Sequence, residues 1–353
     1  MAQTETIEVA EDAPADRRRG RTLCLADAYV YGAASVAGPG EGRGPLGPEF
    51  DEVTDGHLLG YNSWETAETG FMARAFQRLC DKLDLHQDDF DLLLAGDLLN
   101  QNVASAFAAR DLDIPFCGLY NACATLGEAL GLAAALCSAG YCRRVVVVVS
   151  SHHDGAERQY RFPTELGNQR PPTAQWTATG AAAVAVGAGG QGKALARITH
   201  FTPGRVLDYG VQDPFNMGGA MAPAAADTLL THLRDLDRHP GDYGAIFTGD
   251  LAAVGMPVCE ALLREHGVDI RLRDCGRELY DPRHQDVHAG GSGAACAGLV
   301  FAARILPELC GRRYRRACLC TTGALHSPTT YQQGATIPAI AHALSFEAAD
   351  GGL

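Results

Sequence analysis

Short uninterrupted apolar blocks alternate along this chain with stretches of helical period. Residues 91–95 predict a strand that closes on Gly96-Asp97-Leu98, residues 104–110 a helix, and residues 114–119 a second strand. The same phrase returns in the second half. Residues 243–247 predict a strand ending in Gly249-Asp250-Leu251, and a helix over 258–266 and a short apolar stretch around Ile270 follow it. Both phrases continue alike. In the first, YNACATLGEALGLAAALCSAG (120–140) predicts a turn opening into a small-residue helix, and then comes a strand over 145–149, apolar at every position and so buried on both faces. In the second, VHAGGSGAACAGLVFAARIL (287–306) predicts another glycine-rich turn and small-residue helix, followed by a strand over 317–322.

The order β, α, β, α, β is thus written twice. Alternation on this length scale predicts an α/β protein of two duplicated halves related by a pseudo-dyad, with mostly parallel strands covered by helices. The halves are expected at residues 22–200 and 201–353, behind a disordered tail over 1–21. The small residues of the two inner helices let them approach closely in a middle layer. Duplication also sets Cys123 and His288 at matching points, each at the entrance of its half's central helix, where a two-fold arrangement brings them together. Backbone N–H groups at helix starts favour anions, so a thiolate or a ligand carboxylate is expected to be stabilised there.

Composition narrows the partners. With 353 residues the chain can bury a sizeable core, and a formal net charge of −13 leaves no electrostatic footprint for nucleic acid. The twelve cysteines form no CxxC pair and no zinc spacing, and Cys137, Cys296 and Cys310 sit in apolar runs, as buried thiols in a reducing compartment do. The run Arg17-Arg18-Arg19 has no apolar segment behind it, so no signal peptide is expected, and no apolar stretch is long enough to span a membrane.

Several residues carry candidate chemistry. Cys123 reads as an acyl nucleophile, as a thiol lining a ligand pocket, or as a small residue filling a tight turn, and the recurrence of its position in both halves favours the pocket. His288 reads as a partner of that thiol or of a ligand carboxylate, or as a satisfied histidine near a helix start. His152 and His153 follow the apolar strand, but adjacent side chains seldom face one ion, so they are expected to be loop residues. The stretch 156–175 holds Arg158, Arg161 and Arg170 among aromatics and prolines, and arginine supplies the bidentate donors that a planar dianion needs; pairing with Glu157 and Glu165 or a dimer interface is the equal alternative. Trp176 either walls a pocket or packs. Asn216 either reaches a site or caps the helix predicted through 224–230. Gly187 to Gly192 is expected to be a hairpin or linker, since no Lys-Ser/Thr follows with phosphate-loop spacing.

A strand, a cysteine-bearing turn and a glycine- and alanine-rich helix, paired with a histidine in a second glycine-rich turn, resembles the thiolase and ketoacyl-synthase superfamily. Longer phrases narrow the match: GPLGPEFDEV (44–53), SWETAE (63–68), GDLLNQ (96–101), the run from Ser150 to Ala183, NMGGAMAPAAADT (216–228), HAGGSG (288–293) and QQGATIPAIAHA (332–343) resemble the stage V sporulation protein AD family. The resemblance implies a thiolase fold of five layers, α-β-α-β-α. It also implies a homodimer that binds dipicolinic acid, alone or as its calcium chelate and with no other cofactor, for uptake into the developing spore and release at germination. Its place is then in the cytoplasm or forespore, as a peripheral subunit among stage V sporulation membrane proteins at the spore inner membrane.

Position by position, Cys123 matches the superfamily's nucleophile, and His288 resembles the histidine of the thiolase GHPxGxSG turn, with Ala289 in place of proline. Where priming ketoacyl synthases have His-Asn and thiolases Asn-Glu, this chain has Gly249-Asp250-Leu251. An ionised carboxylate cannot donate to an enolate oxyanion and repels it, so Asp250 argues against a condensing catalyst. The ligand is expected among Cys123, His288, Arg158, Arg170, Trp176, Gly180, Ala181, Asn216 and Asp250, with Cys123 and His288 as the catalytic pair in the acyltransferase alternative.

Overall fold

The computed structural model describes residues 17–159 and 169–349. In the first half, strands β1 (Tyr29–Ala37), β2 (Leu92–Gly96), β3 (Phe116–Gly118), β4 (Arg144–Ser151) and β5 (Gly180–Gly187) are joined by helices α1 (Trp64–Leu83), α2 (Val103–Leu112) and α3 (Thr125–Ser138). The second half repeats them. Its strands are β6 (Ala196–Thr202), β7 (Ala245–Thr248), β8 (Arg273–Asp274), β9 (Arg316–Ala324) and β10 (Ala339–Ala348), and its helices α4 (Met217–Leu236), α5 (Ala252–Glu265) and α6 (Ala294–Val300), the last running on through a π turn to Cys310.

The strand order is β3-β2-β4-β5-β1-β6-β10-β9-β7-β8, which reads the same from either end once the halves are matched. The halves meet where β1 pairs antiparallel with β6 through Val30–Ala196 and Tyr29–Arg197. The duplication expected from the repeated phrases is therefore present, and its sheet is mixed: β2 runs parallel to β3 and β4, whereas β5 is antiparallel to both β1 and β4. Repetition reaches the turns. Leu83-Asp84-Leu85-His86 and Leu236-Asp237-Arg238-His239 each end a long helix on a left-handed aspartate, at φ 52° and 50°, a conformation that a short polar side chain tolerates. Each then opens a short turn in which the backbone N–H of the histidine donates to an aspartate three residues on, at 2.7 Å in both halves.

Strand alternation builds the layers. Val146 and Val148 of β4 face α1, where Phe71, Met72 and Leu79 are buried, while Val145, Val147 and Val149 face inward to α3 and α6. In the second half Cys318 and Cys320 face α4 and α5, and Leu319 faces inward. The result is the five-layered α-β-α-β-α arrangement, with β4 buried on both faces as its composition predicts. The middle layer is closely seated. A Cβ on Gly127 of α3 lies 2.0 Å from Thr321 Oγ1 of β9, and one on Gly298 of α6 lies 2.8 Å from Ala182 of β5. Helices α4 and α5 cross with similar intimacy, since a Cβ on Gly255 falls 2.3 Å from the Gly218 carbonyl.

Some expected boundaries move. The seam of the duplication lies between β5 and β6, so a division at residues 200 and 201 cuts through β6. The expected tail over 1–21 lies mostly outside the described residues, but Arg18–Arg19 pairs with Thr22–Cys24 in a hairpin whose Arg21 joins Asp227. The glycine-rich run is a connection rather than a hairpin, because β1 lies between β5 and β6. Helix α5 begins at Ala252, with Pro257 inside it, and not after the proline. No helix among the described residues is long and apolar enough to cross a membrane.

A buried polar network ties α4 to the sheet. His232 Nδ1 shares a hydrogen bond with Thr202 Oγ1 at 2.6 Å, and its Nε2 lies 2.8 Å from Ser345 Oγ and 2.9 Å from Tyr243 Oη. Burial, then His200 and Arg238, push its pKa down to about 3. An unfolded histidine titrates near about 6.5, so the stability this neutral ring contributes is fully present above that pH and is lost as pH falls towards about 3. Between pH 7 and pH 5 the His232 contribution should fall by about 2 kcal/mol. Urea unfolding should show a correspondingly smaller loss over that interval in His232→Gln, and parallel pH profiles would contradict it.

Candidate functional site

The first candidate centre lies where the two halves meet. Cys123 sits in the 3-10 turn Ala122–Ala124 that opens α3, with Ala122 at φ 50°, and only 5% of the cysteine is exposed. Its Sγ lies 3.6 Å from Ser292 Oγ. Ser292 Oγ donates to Asp250 Oδ2 at 2.9 Å, the Gly293 N–H donates to the same oxygen at 3.1 Å, and Thr322 Oγ1 donates to Asp250 Oδ1 at 2.7 Å. Both carboxyl oxygens are thus engaged by donors from the second half, while burial pushes the carboxyl above its ordinary range. Burial and then Asp250 also push the Cys123 thiol well above its usual value. The helix entrance therefore does not yield the stabilised thiolate expected from its position: desolvation and a neighbouring acid outweigh the backbone dipoles. The cavity beside Cys123 is small, about 40 Å³, and is lined by Asn100, Tyr120, Thr177, Met217 and His326 among others.

The dyad mate of Asp250 shows why that carboxyl is available. Asp97 turns back on its own half, accepting from the Leu99 N–H at 2.9 Å and from the Ser105 N–H and Oγ at 2.8 and 2.6 Å, and so fastens the start of α2. In the second half Asp274 takes over that task, accepting from the Leu251 and Ala252 N–H groups at 2.9 and 3.0 Å. Burial and then Asp250, opposed by the Thr248 hydroxyl, leave Asp274 pushed up to about 7. Asp250 is released to face Cys123.

His288 is not brought to the thiol. Its backbone is left-handed, at φ 49°, and its Nε2 lies 3.1 Å from Asp286 Oδ1, outside the lining of the Cys123 cavity, whose histidine is His326. The two central helices do converge, but the turn before α6 presents Ser292 and Gly293 rather than His288. Asn216 caps α4, accepting from the Gly219 N–H at 3.3 Å, so capping is the role the structure gives it. Gly180 and Ala181 are buried in β5 and line neither cavity. Arg158 pairs with Glu65 and lies 5.1 Å over the Trp64 ring, away from both cavities. Arg161 and Glu165 lie outside the described residues.

A larger cavity, of about 470 Å³, lies across the strand Trp176–Thr177 from the first. That strand pairs in parallel with Gly291–Ser292, and successive side chains point opposite ways, so Thr177 lines the Cys123 side and Trp176 the other. Arg170 lies 4.7 Å over the Trp176 ring. Its Nη2 donates to the Asp286 carbonyl at 2.7 Å and lies 3.0 Å from Asp286 Oδ2, while its Nη1 is buried with no hydrogen-bond partner among the described residues. His153 stacks on the same indole at 3.6 Å and 8°. Arg43, His57 and Glu41 complete the wall. Glu41 is buried, accepts from the Tyr280 hydroxyl and from the Thr179 N–H, and burial pushes its carboxyl upward.

Sequence reasoning reached Arg170 and Trp176 but not Arg43, His57, His153 or Glu41. Arg43 immediately precedes the GPLGPEFDEV phrase, which is the one signal that marks it. His152 and His153 are not idle loop residues: His152 is buried and its Nε2 bonds the His57 carbonyl at 2.9 Å.

Two duplicated halves with a cysteine at the central helix entrance define the thiolase-like class. In keeping with that, the structure is similar to that of a single-residue variant of OleA from Xanthomonas campestris, with a TM-score of 0.56 at 14% identity over 92% of this chain and 99% of that one. It is similar also to AbyA1, a tetronic acid condensing enzyme, with a TM-score of 0.54 at 16% identity over 90% and 99% of the two chains. The sequence model of the stage V sporulation protein AD family matches residues 20–347, and the chain is 46% identical over 325 residues to stage V sporulation protein AD of Bacillus subtilis (strain 168), covering 92% of this chain and 95% of that protein. The chain belongs to that sporulation family.

The electrostatics of the first centre set an order of thiol reactivity. On the native protein, iodoacetamide should label the exposed Cys117 at least about tenfold faster than Cys123, and Asp250→Asn should speed labelling of Cys123 several-fold. Peptide mapping by mass spectrometry checks both, and Cys123 labelling first would contradict the assignment.

Proposed function

We propose that the chain binds pyridine-2,6-dicarboxylate, alone or as its calcium chelate, in the cavity beside Trp176, and serves dipicolinate uptake and release as a homodimeric, peripheral subunit of a stage V sporulation membrane assembly. Family membership supports the setting. The observation that carries the ligand is Arg170, held over the face of Trp176 with Nη1 buried and unpartnered by any described residue. A buried cationic donor left without an acceptor is costly, and a ligand carboxylate removes that cost. The indole is already faced by His153 and Arg170, so the cavity offers a planar acid the edge of that stack, and Arg43 stands in the same wall for a second carboxylate. On a chain of net charge −13, an anion must be held by such a local arrangement and not by the field of the whole molecule.

The rival, an acyltransferase using Cys123, has the position of that cysteine in its favour. Against it stand a thiol pushed well above its ordinary range, a neighbouring carboxyl where condensation needs a donor, and a cavity of about 40 Å³. Incubation with acyl-CoA is expected to leave Cys123 without a stable adduct.

Calorimetric titration should show saturable binding of pyridine-2,6-dicarboxylate, with and without equimolar calcium, and much weaker binding of pyridine-2-carboxylate. Arg170→Gln should weaken binding by about 1.5–3 kcal/mol, the worth of a hydrogen bond to a charged group, while Cys123→Ala changes it little. Equal affinity for both acids, binding of neither, or an acyl-Cys123 intermediate that turns over would each reject the proposal. Light scattering should give the mass of a dimer at micromolar concentration without detergent, against a monomer mass of 37.3 kDa.

A further inference from the structure

His153 opens the short helix His153–Glu157, and the two side chains are four positions apart, which places them on one face. The imidazole stacks on Trp176, and its Nδ1 lies 3.3 Å from Glu157 Oε1. That same oxygen accepts from the Thr177 N–H at 3.1 Å, on the residue next to Trp176, while the His153 N–H donates to Thr179 Oγ1 at 3.0 Å. One carboxyl, 3% exposed, thereby ties both the ring and the strand that carries the indole. A buried carboxylate favours a positive charge beside it, and the imidazole is one group placed to carry that charge.

The other charged groups that line the cavity, among the described residues, come from several elements around it. Glu41, Asp154, Glu157 and Asp286 favour the protonated imidazole, Arg43 and Arg170 oppose it, and His57 opposes it when charged. Among the described residues, and setting aside Glu41, whose carboxyl burial pushes upward, three carboxyl groups stand against two guanidinium groups, which leaves the balance on the side of protonation.

We propose that His153, charged against Glu157, is a proton-linked anion-binding residue of the Trp176 cavity: the protonated ring adds a cation to those of Arg43 and Arg170, so that a carboxylate ligand is held more tightly below neutral pH than above it. The inference rests on the reading of this cavity as the dipicolinate site. A stacked and ion-paired histidine is distinct from the pair of adjacent loop histidines that the sequence suggests, since the structure gives His152 and His153 separate tasks.

The chain has two tryptophans, and the other, Trp64, lines neither cavity, so Trp64→Phe leaves Trp176 as the sole indole. Imidazolium quenches a stacked indole more than neutral imidazole does. In the Trp64→Phe protein, without ligand, emission should fall along a one-proton curve as pH drops from 8 to 5; His153→Gln should abolish that curve, and Glu157→Gln should move its midpoint to lower pH. In calorimetry, dipicolinate should bind the natural sequence about tenfold more weakly at pH 8 than at pH 6, with proton uptake visible in buffers of different ionisation enthalpy, and His153→Gln should flatten that dependence. A flat emission profile, or one that His153→Gln leaves unchanged, overturns the inference, as does dipicolinate binding that ignores pH. An emission curve that behaves as described in a protein that binds no dipicolinate at any pH rejects the ligand and leaves the proton-linked wall standing.

Discussion

Two helices of small residues, seated between the halves of the sheet, fix the other distances in the molecule. Gly127 lets α3 lie against Thr321 of β9, and Gly298 lets α6 lie against Ala182 of β5, so each central helix touches the strands with its backbone and not through long side chains. That closeness brings the turn before α3 and the turn before α6 into contact, and it is why Cys123 of one half reaches Ser292 of the other at 3.6 Å. A larger residue at either glycine separates the halves and dissolves the centre between them.

Within this near-symmetric frame, function arises where the symmetry is broken. Asp97 and Asp250 end equivalent strands, but the first fastens its own helix and the second faces a cysteine, because Asp274 has taken the fastening task in the second half. Burial, and after it the same acid held by three donors, raises the thiol beside it. The cation-bearing surface lies instead on the opposite side of Trp176–Thr177, where Arg170 and His153 share an indole. A two-residue strand thus separates a closed, acidic centre from an open cavity into whose wall Arg170 Nη1 is set with no hydrogen-bond partner among the described residues.

Much of the frame was legible in the residues. The repeated strand phrases ending in Gly-Asp-Leu marked β2 and β7, and the glycine-rich turns before small-residue helices marked α3 and α6. The strands nearest the seam were not legible: β5 is mostly alanine and glycine, which carry little strand preference of their own, β1 interrupts its tyrosines and valines with the same small residues, and both are strands because both faces are covered. Pairing Cys123 with His288 followed from equal positions in two halves, but equal backbone positions do not fix where a side chain turns, and His288 turns to Asp286. Asp250 stood out in the sequence as the departure from a condensing enzyme, while its contacts with Ser292 and Thr322 depend on strands far apart along the chain. Arg170 and Trp176 were found from residue type alone; Arg43, His57, His153 and Glu41 join them only through the fold, from segments distant in sequence.

The central claim is that a planar dicarboxylate lies in the cavity beside Trp176, held by Arg170, and not against Cys123. A crystal structure of the protein with pyridine-2,6-dicarboxylate tests it most directly. The expected result is the pyridine ring in the cavity lined by Arg43, His153 and Trp176, with one carboxylate within hydrogen-bond distance of Arg170 Nη1. Density for the ligand at Cys123 and His326, with the cavity beside Trp176 holding only solvent, would contradict it.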